Sequence, residues 1–163
     1  MATDFILLAA FLLLIVAGMA ATVTFIPKFI VKSAPEDIRD KVLARPDYPA
    51  WKTVVGWTLT ALLLVALIGV LVWAGVDAVR SGMGFWRIFL RFLIILEGYK
   101  IFDMVCFDWI LLTKLNIFQH FFPETIGCKG YEQFGFNLKS QIAKMFMFAA
   151  VAAAVAGVLT IFV

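Results

Sequence analysis

Residues 96–115 read LEGYKIFDMVCFDWILLTKL, and four of them could do chemistry: Glu97, Lys100, Asp103 and Asp108. A lone charge near the centre of a membrane-spanning helix costs at least about 2.5–3.5 kcal/mol on insertion scales, so such groups must be paired or hydrated. At roughly 100° per residue, Glu97, Lys100 and Asp108 fall within about an 80° arc of an α-helix, with Asp103 on the adjoining flank. Glu97 and Lys100 are three apart, and Lys100 and Asp103 repeat that spacing, so one ammonium can serve two carboxylates. Asp108 lies nearer the end of the stretch, with Lys114 as a candidate partner. Two readings stay open. One is a buried Glu–Lys–Asp network that fixes helix register. The other is a polar pathway or binding site in which a carboxylate takes up a proton. Either way, the four side chains are expected to face the bundle interior as one polar intramembrane site.

The elements that must position them are apolar and long. Of 163 residues, 64% are hydrophobic and 15% charged, against about 25% charged in soluble domains. The excess lies in four runs, near 5–26, 54–75, 88–113 and 143–163. About 20 apolar residues cross the hydrocarbon core, and the runs lack the alternation of barrel strands. The expectation is an all-α, polytopic membrane protein: four transmembrane helices in one antiparallel bundle over 1–163. The first run has no Lys or Arg before it and exceeds a signal-peptide core, so it reads as a permanent helix. The other three runs offer the third no charged partner in their cores.

Orientation follows Lys and Arg. The 27–53 and 114–144 segments hold ten of them, whereas the termini hold none and the 76–87 turn holds two. The positive-inside rule then puts both long loops in the cytoplasm and both termini outside the inner membrane. The net charge of +3 calls for no nucleic acid; it is the ordinary cytoplasmic excess, helped by anionic lipid heads. Cys106 and Cys128 have no CxxC spacing, which argues against a disulfide framework or a zinc site.

Two loops carry structure of their own. Ser33 and Glu36 fit a capping box for a short helix reaching about Ala44. Ile38, Val42 and Leu43 share one of its faces, so it should lie along the membrane surface, as a connector or as a lipid- or partner-docking surface. Tyr48, Trp51 and Trp57 stand where an interfacial aromatic belt would be. The 114–139 connection holds five aromatics between Phe118 and Phe134, and the single histidine. It should pack as an ordered element, with Pro123, Gly127 and Gly130 at its turns. His120, Glu124, Tyr131 and Lys139 are its candidate functional residues. Small residues recur every four in the last helix, at Ala149, Ala153 and Gly157 and at Ala150 and Ala154. They serve close packing within the bundle or a homo-oligomer interface.

Asp103 and Asp108-Trp109, then Pro123, Thr125, Gly127, Tyr131, Phe136 and Lys139, make a recognisable frame over about 95–140. It resembles a group of small, uncharacterised bacterial integral membrane proteins with a D-x4-D-W helix and a P-G-T-E-G loop followed by F-H-x-K. The chain departs at Glu124, Ile126, Gln133 and Asn137, where the group has Gly, Glu, Asp and His. The resemblance implies four helices and no particular activity.

One histidine excludes di-iron desaturases and bis-histidine haem binding within the chain, and HExxH, GxSxG and P-loop patterns are absent. No cofactor or metal is expected. What remains is a non-catalytic accessory or structural subunit, in a homo-oligomer or a larger membrane complex. The alternatives are a small transporter or channel using the third-helix charges, or an enzyme acting on a lipid or isoprenoid headgroup through Asp108, Lys114, His120, Glu124 and Tyr131.

Overall fold

A computed structural model describes residues 2–133, 135 and 137–163. Among them the chain is helical without strands: α1 (Ala2–Phe25), α2 (Pro27–Ile30), α3 (Glu36–Leu43), α4 (Ala50–Arg80), α5 (Phe85–Phe102), a π-helical segment (Asp103–Lys114), α6 (Ile117–Phe121) and α7 (Leu138–Thr160). Short 3-10 turns cover Val31–Ser33, Pro123–Thr125 and Lys129–Glu132. Phe134 and Phe136, which the sequence reading uses, lie outside the described residues. The helices α1, α4 and α7 are long and apolar enough to cross a membrane. Hydroxyls within them bond the helix backbone: Thr22 and Thr60 donate to the carbonyls of Gly18 and Gly56, four residues back, at 2.9 and 2.8 Å. Backbone and side-chain polar groups must be met internally in hydrocarbon.

The expected third span differs from a plain α-helix. Its α-helical part is Phe85–Phe102, and from Asp103 the backbone widens into 12 π-helical residues. Hydrogen bonds from i to i+5 put more residues in each turn. The 100° spacing that aligned Asp108 with Glu97 and Lys100 therefore fails beyond Phe102. Asn116, in the left-handed region at φ 48°, closes the segment.

The chain forms two compact units. The first comprises Met1–Leu14, Val65–Asp103 and Asn137–Val163. In it α5 packs along α7, where Ala152 and Ala156 are fully buried. The close-packing pair is thus Ala152 and Ala156; Ala150, Ala154 and Gly157 are exposed. The α4–α5 turn is closed by a Schellman arrangement: Met83 N–H bonds the Ala78 carbonyl at 3.1 Å and Gly82 N–H that of Val79 at 3.0 Å. Gly82 takes the left-handed conformation, φ 60°, that this motif needs.

The second unit comprises Ile15–Leu64 and Met104–Phe136. Pro27, lacking an N–H, ends α1 and starts α2. The N-cap expected at Ser33 moves to Pro35, since the backbone of Ser33 belongs to the preceding 3-10 turn. Ala34 precedes a proline and is held extended, at φ −77° and ψ 162°. The helix α3 therefore begins at Glu36, with Pro35 as its N-cap and no side-chain cap. Nor does the apolar face of α3 lie bare on a membrane. Ile38 and Val42 are fully buried, Ile38 with Leu112, Cys128 and Tyr131, and Val42 with Val23, Val31 and Phe122; Leu43 alone of the three is exposed. The described part of the 114–139 connection is ordered and packed, with Phe122 and Thr125 fully buried.

Asp37 clasps this unit. One carboxylate oxygen accepts the Ile38 N–H at 3.0 Å and the other the Gly130 N–H at 2.9 Å. A Cβ on Gly130 would stand 2.5 Å from both Asp37 Oδ1 and Pro35 Cβ. Gly130→Ala should therefore cost about 1–3 kcal/mol through overpacking and lower the melting temperature in detergent. Gly69→Ala, where an added Cβ meets nothing within 4 Å, should not.

Candidate functional site

The most deeply buried charge in the first unit is Arg91, 2% exposed. Its Nε donates to Asp4 Oδ1 at 2.6 Å, and its Nη1 to Asp77 Oδ2 at 2.6 Å and the Ala74 carbonyl at 3.1 Å. Three helices supply these groups: Asp4 sits in the first turn of α1, Asp77 in the last turn of α4 and Arg91 in the second turn of α5. Asp4 suits the positive end of α1, whereas Asp77 sits at the negative end of α4 and is unfavourable there without a cation. A guanidinium can serve two carboxylates and a carbonyl together because its donors are fixed in a planar fork. Sequence reasoning passes over this cluster. The signal was a further cation inside the third apolar run, with the carboxylates at the ends of the other runs rather than in their cores.

Of the four residues singled out first, the structure joins two. Lys100, 3% exposed, donates to Asp103 Oδ2 at 2.5 Å, and its ammonium also lies 5.7 Å from the centre of the Tyr99 ring. Glu97 does not share it. Among the described residues, the buried Glu97 Oε2 has no hydrogen-bond partner. Asp108 belongs to the second unit; it is half-buried in the π segment, where its carbonyl accepts from Thr113 Oγ1 at 2.9 Å. No ion pair joins it to Lys114 among the described residues, and Lys114 is exposed.

The loop candidates divide as well. Thr125 Oγ1 and Tyr131 Oη lie 2.6 Å apart, and Thr125 Oγ1 also donates to the Phe122 carbonyl at 2.6 Å. Burial pushes the Tyr131 phenol above its ordinary value. Glu124 Oε1 lies 3.0 Å from Arg45 Nε, an ion-pair contact without hydrogen-bond alignment, and Arg45 also stands over the Phe122 ring at 5.4 Å. His120 is exposed on α6, and Lys139 is exposed on α7 in the first unit. Gly127, at φ 82°, makes the turn that returns Cys128 N–H to the Thr125 carbonyl at 3.0 Å. Thus Thr125, Gly127 and Tyr131, three residues that carry the family resemblance, here close a loop.

Two outcomes follow. Arg91→Met should cost about 1–3 kcal/mol by taking the buried cation from two half-buried carboxylates, and adding Asp4→Asn and Asp77→Asn should recover most of it in detergent unfolding. Lys100→Met with Asp103→Asn should likewise recover what Lys100→Met loses. The second outcome is alkaline. Because the folded-state pKa of Tyr131 is raised, its contribution is complete below the unfolded value near 10 and disappears as pH rises through the folded value. Ultraviolet titration should show a tyrosine that ionises late and together with unfolding, and Tyr131→Phe should delete that component.

No protein-family model, curated protein or solved structure matches the chain.

Proposed function

We propose that the protein is a four-span integral membrane protein of the inner membrane, acting as a non-catalytic accessory or structural subunit. In this reading α1, α4, α5 with its π extension, and α7 make an antiparallel bundle, with both termini outside. One observation supports the non-catalytic assignment: the buried cations and the candidate acids Asp103, Glu124 and Tyr131 are tied into the fold. Arg91 binds Asp4 and Asp77, Lys100 binds Asp103, Arg45 contacts Glu124, and Tyr131 is bonded to Thr125. An enzyme using Glu124 or Tyr131 on a headgroup would have to release it from these contacts first.

A second reading, a small transporter, has one observation on its side. Glu97 keeps an unpartnered carboxylate oxygen among the described residues, in a helix whose two buried cations are both engaged. Such an intramembrane carboxyl is a functional candidate by default.

Isolation in native-lipid discs is expected to bring down a stoichiometric protein partner. A solitary chain that converts a lipid would overturn the subunit reading, and uptake into vesicles abolished by Glu97→Gln would replace it with the second. For orientation, single cysteines are placed at Ala2 and Ala44 in a chain lacking Cys106 and Cys128. An impermeant maleimide on intact cells should label position 2 and spare position 44; the reverse pattern refutes the topology.

A further inference from the structure

We propose that a pocket beside α2 in the second unit binds the phosphate headgroup of an anionic membrane lipid. The pocket holds about 310 Å³, and its wall has two parts. Lys28, Lys32 and Arg45 supply three cations; Phe25, Ile26 and Trp57 supply an apolar side. Asp47 is the single carboxylate in the lining, so the pocket keeps a positive excess.

The cations are held but not spent. Lys28 Nζ is placed by Asp47 Oδ1 at 2.7 Å, yet the Asp47 side chain is 89% exposed and mostly faces water. The Lys28 ammonium beside it holds the Asp47 carboxyl below its usual value. Lys32 Nζ lies 5.9 Å from the centre of the Phe29 ring and has no carboxylate partner among the described residues. Arg45 is fixed from behind by Glu124 and the Phe122 ring, and its Nη1 reaches Tyr48 Oη at 3.4 Å. Ammonium and guanidinium groups arranged this way suit phosphate oxygens.

The apolar side decides between a soluble anion and an amphiphile. Phe25 is the last residue of α1 and Trp57 lies in the second or third turn of α4, two helices apolar enough to cross a membrane. Trp57 packs edge-on against Phe29, ring centres 5.1 Å apart, and is still 49% exposed. Half-exposed tryptophan at the end of an apolar helix marks the headgroup level. A free inorganic phosphate would gain nothing from that wall, whereas a lipid places its phosphate on the cations and its glycerol and upper acyl carbons along Phe25 and Trp57. The inference rests on the chain being membrane-embedded, which alkaline carbonate extraction tests separately.

The test is native mass spectrometry of the full chain in detergent, titrated with phosphatidylglycerol or phosphatidylcholine. Phosphatidylglycerol is expected to bind in preference. Lys28→Gln with Lys32→Gln should weaken it about 25-fold, at about fivefold per lysine near a headgroup. Lys41→Gln with Lys129→Gln, an equal loss of charge elsewhere in the unit, should leave it unchanged. Lys32→Gln alone breaks no ion pair and gives the single step even if the double variant fails to fold. Equal binding of phosphatidylcholine, or equal weakening in both double variants, overturns the site. Displacement of phosphatidylglycerol by millimolar inorganic phosphate overturns the lipid source and gives the cations to a soluble anion.

Discussion

A guanidinium buried to 2% exposure must be neutralised where it sits, because it has given up its own hydration. Arg91, 2% exposed, is met by Asp4, Asp77 and the Ala74 carbonyl, and much of the first unit follows from that demand. It brings the first turn of α1, the last turn of α4 and the second turn of α5 to one place. The four-residue turn at 81–84 helps, since its Schellman closure sets Asp77 and Arg91 in register. Ala74 and Ala78, both fully buried, let the backbones approach. Further along the same unit, Gly98 takes the methyl groups of Leu8, where a Cβ would stand at 2.9 Å, and Phe11 meets Tyr99 edge-on at 5.8 Å. A buried ionic cluster specifies an arrangement more than it stabilises one, and this one specifies which helix ends belong together.

The second unit has a core of its own. Its short elements bury their apolar groups inward: Val31, Ile38, Val42 and Phe122 are fully buried, and Tyr131 nearly so. Among its buried polar groups, Thr125 is met by Tyr131 and the Phe122 carbonyl, and the N–H of Gly130 by Asp37. Large apolar side chains are nonetheless exposed in both units, among them Val72, Trp73, Trp86 and Val151 in the first and Val54, Leu62, Leu64 and Ile126 in the second. Outward apolar surface of this kind fits the long apolar helices α1 and α4, which run through both units.

The chemistry is divided between the units. In the first unit a cation with its carboxylates is a structural device, and Glu97 keeps a buried carboxylate oxygen without a hydrogen-bond partner among the described residues. In the second unit the residues most suggestive of catalysis, Glu124 and Tyr131, are engaged by Arg45 and Thr125. The lysines near α2 remain accessible beside exposed aromatics. The paired groups of both units are thus part of the architecture, whereas His120 and Lys139 are exposed.

The sequence by itself determined the solvent and the scale: long uncharged runs demand helices of membrane length, and the aromatic density of 117–131 demands packing. It also placed Lys100 and Asp103 together, because an i, i+3 spacing is local and survives wherever the helix goes. What it could not determine depends on partners far along the chain. Arg91 is meaningful only once Asp4 and Asp77 arrive from other helices, and Asp37 only once Gly130 closes onto it, 93 residues away. The π segment likewise defeats any projection at 100° per residue, since its pitch is a property of the backbone and not of residue types. Periodicity and charge counts are sums over neighbours in sequence; the pairing of buried charges is settled by geometry between helices, and only the tertiary structure supplies that.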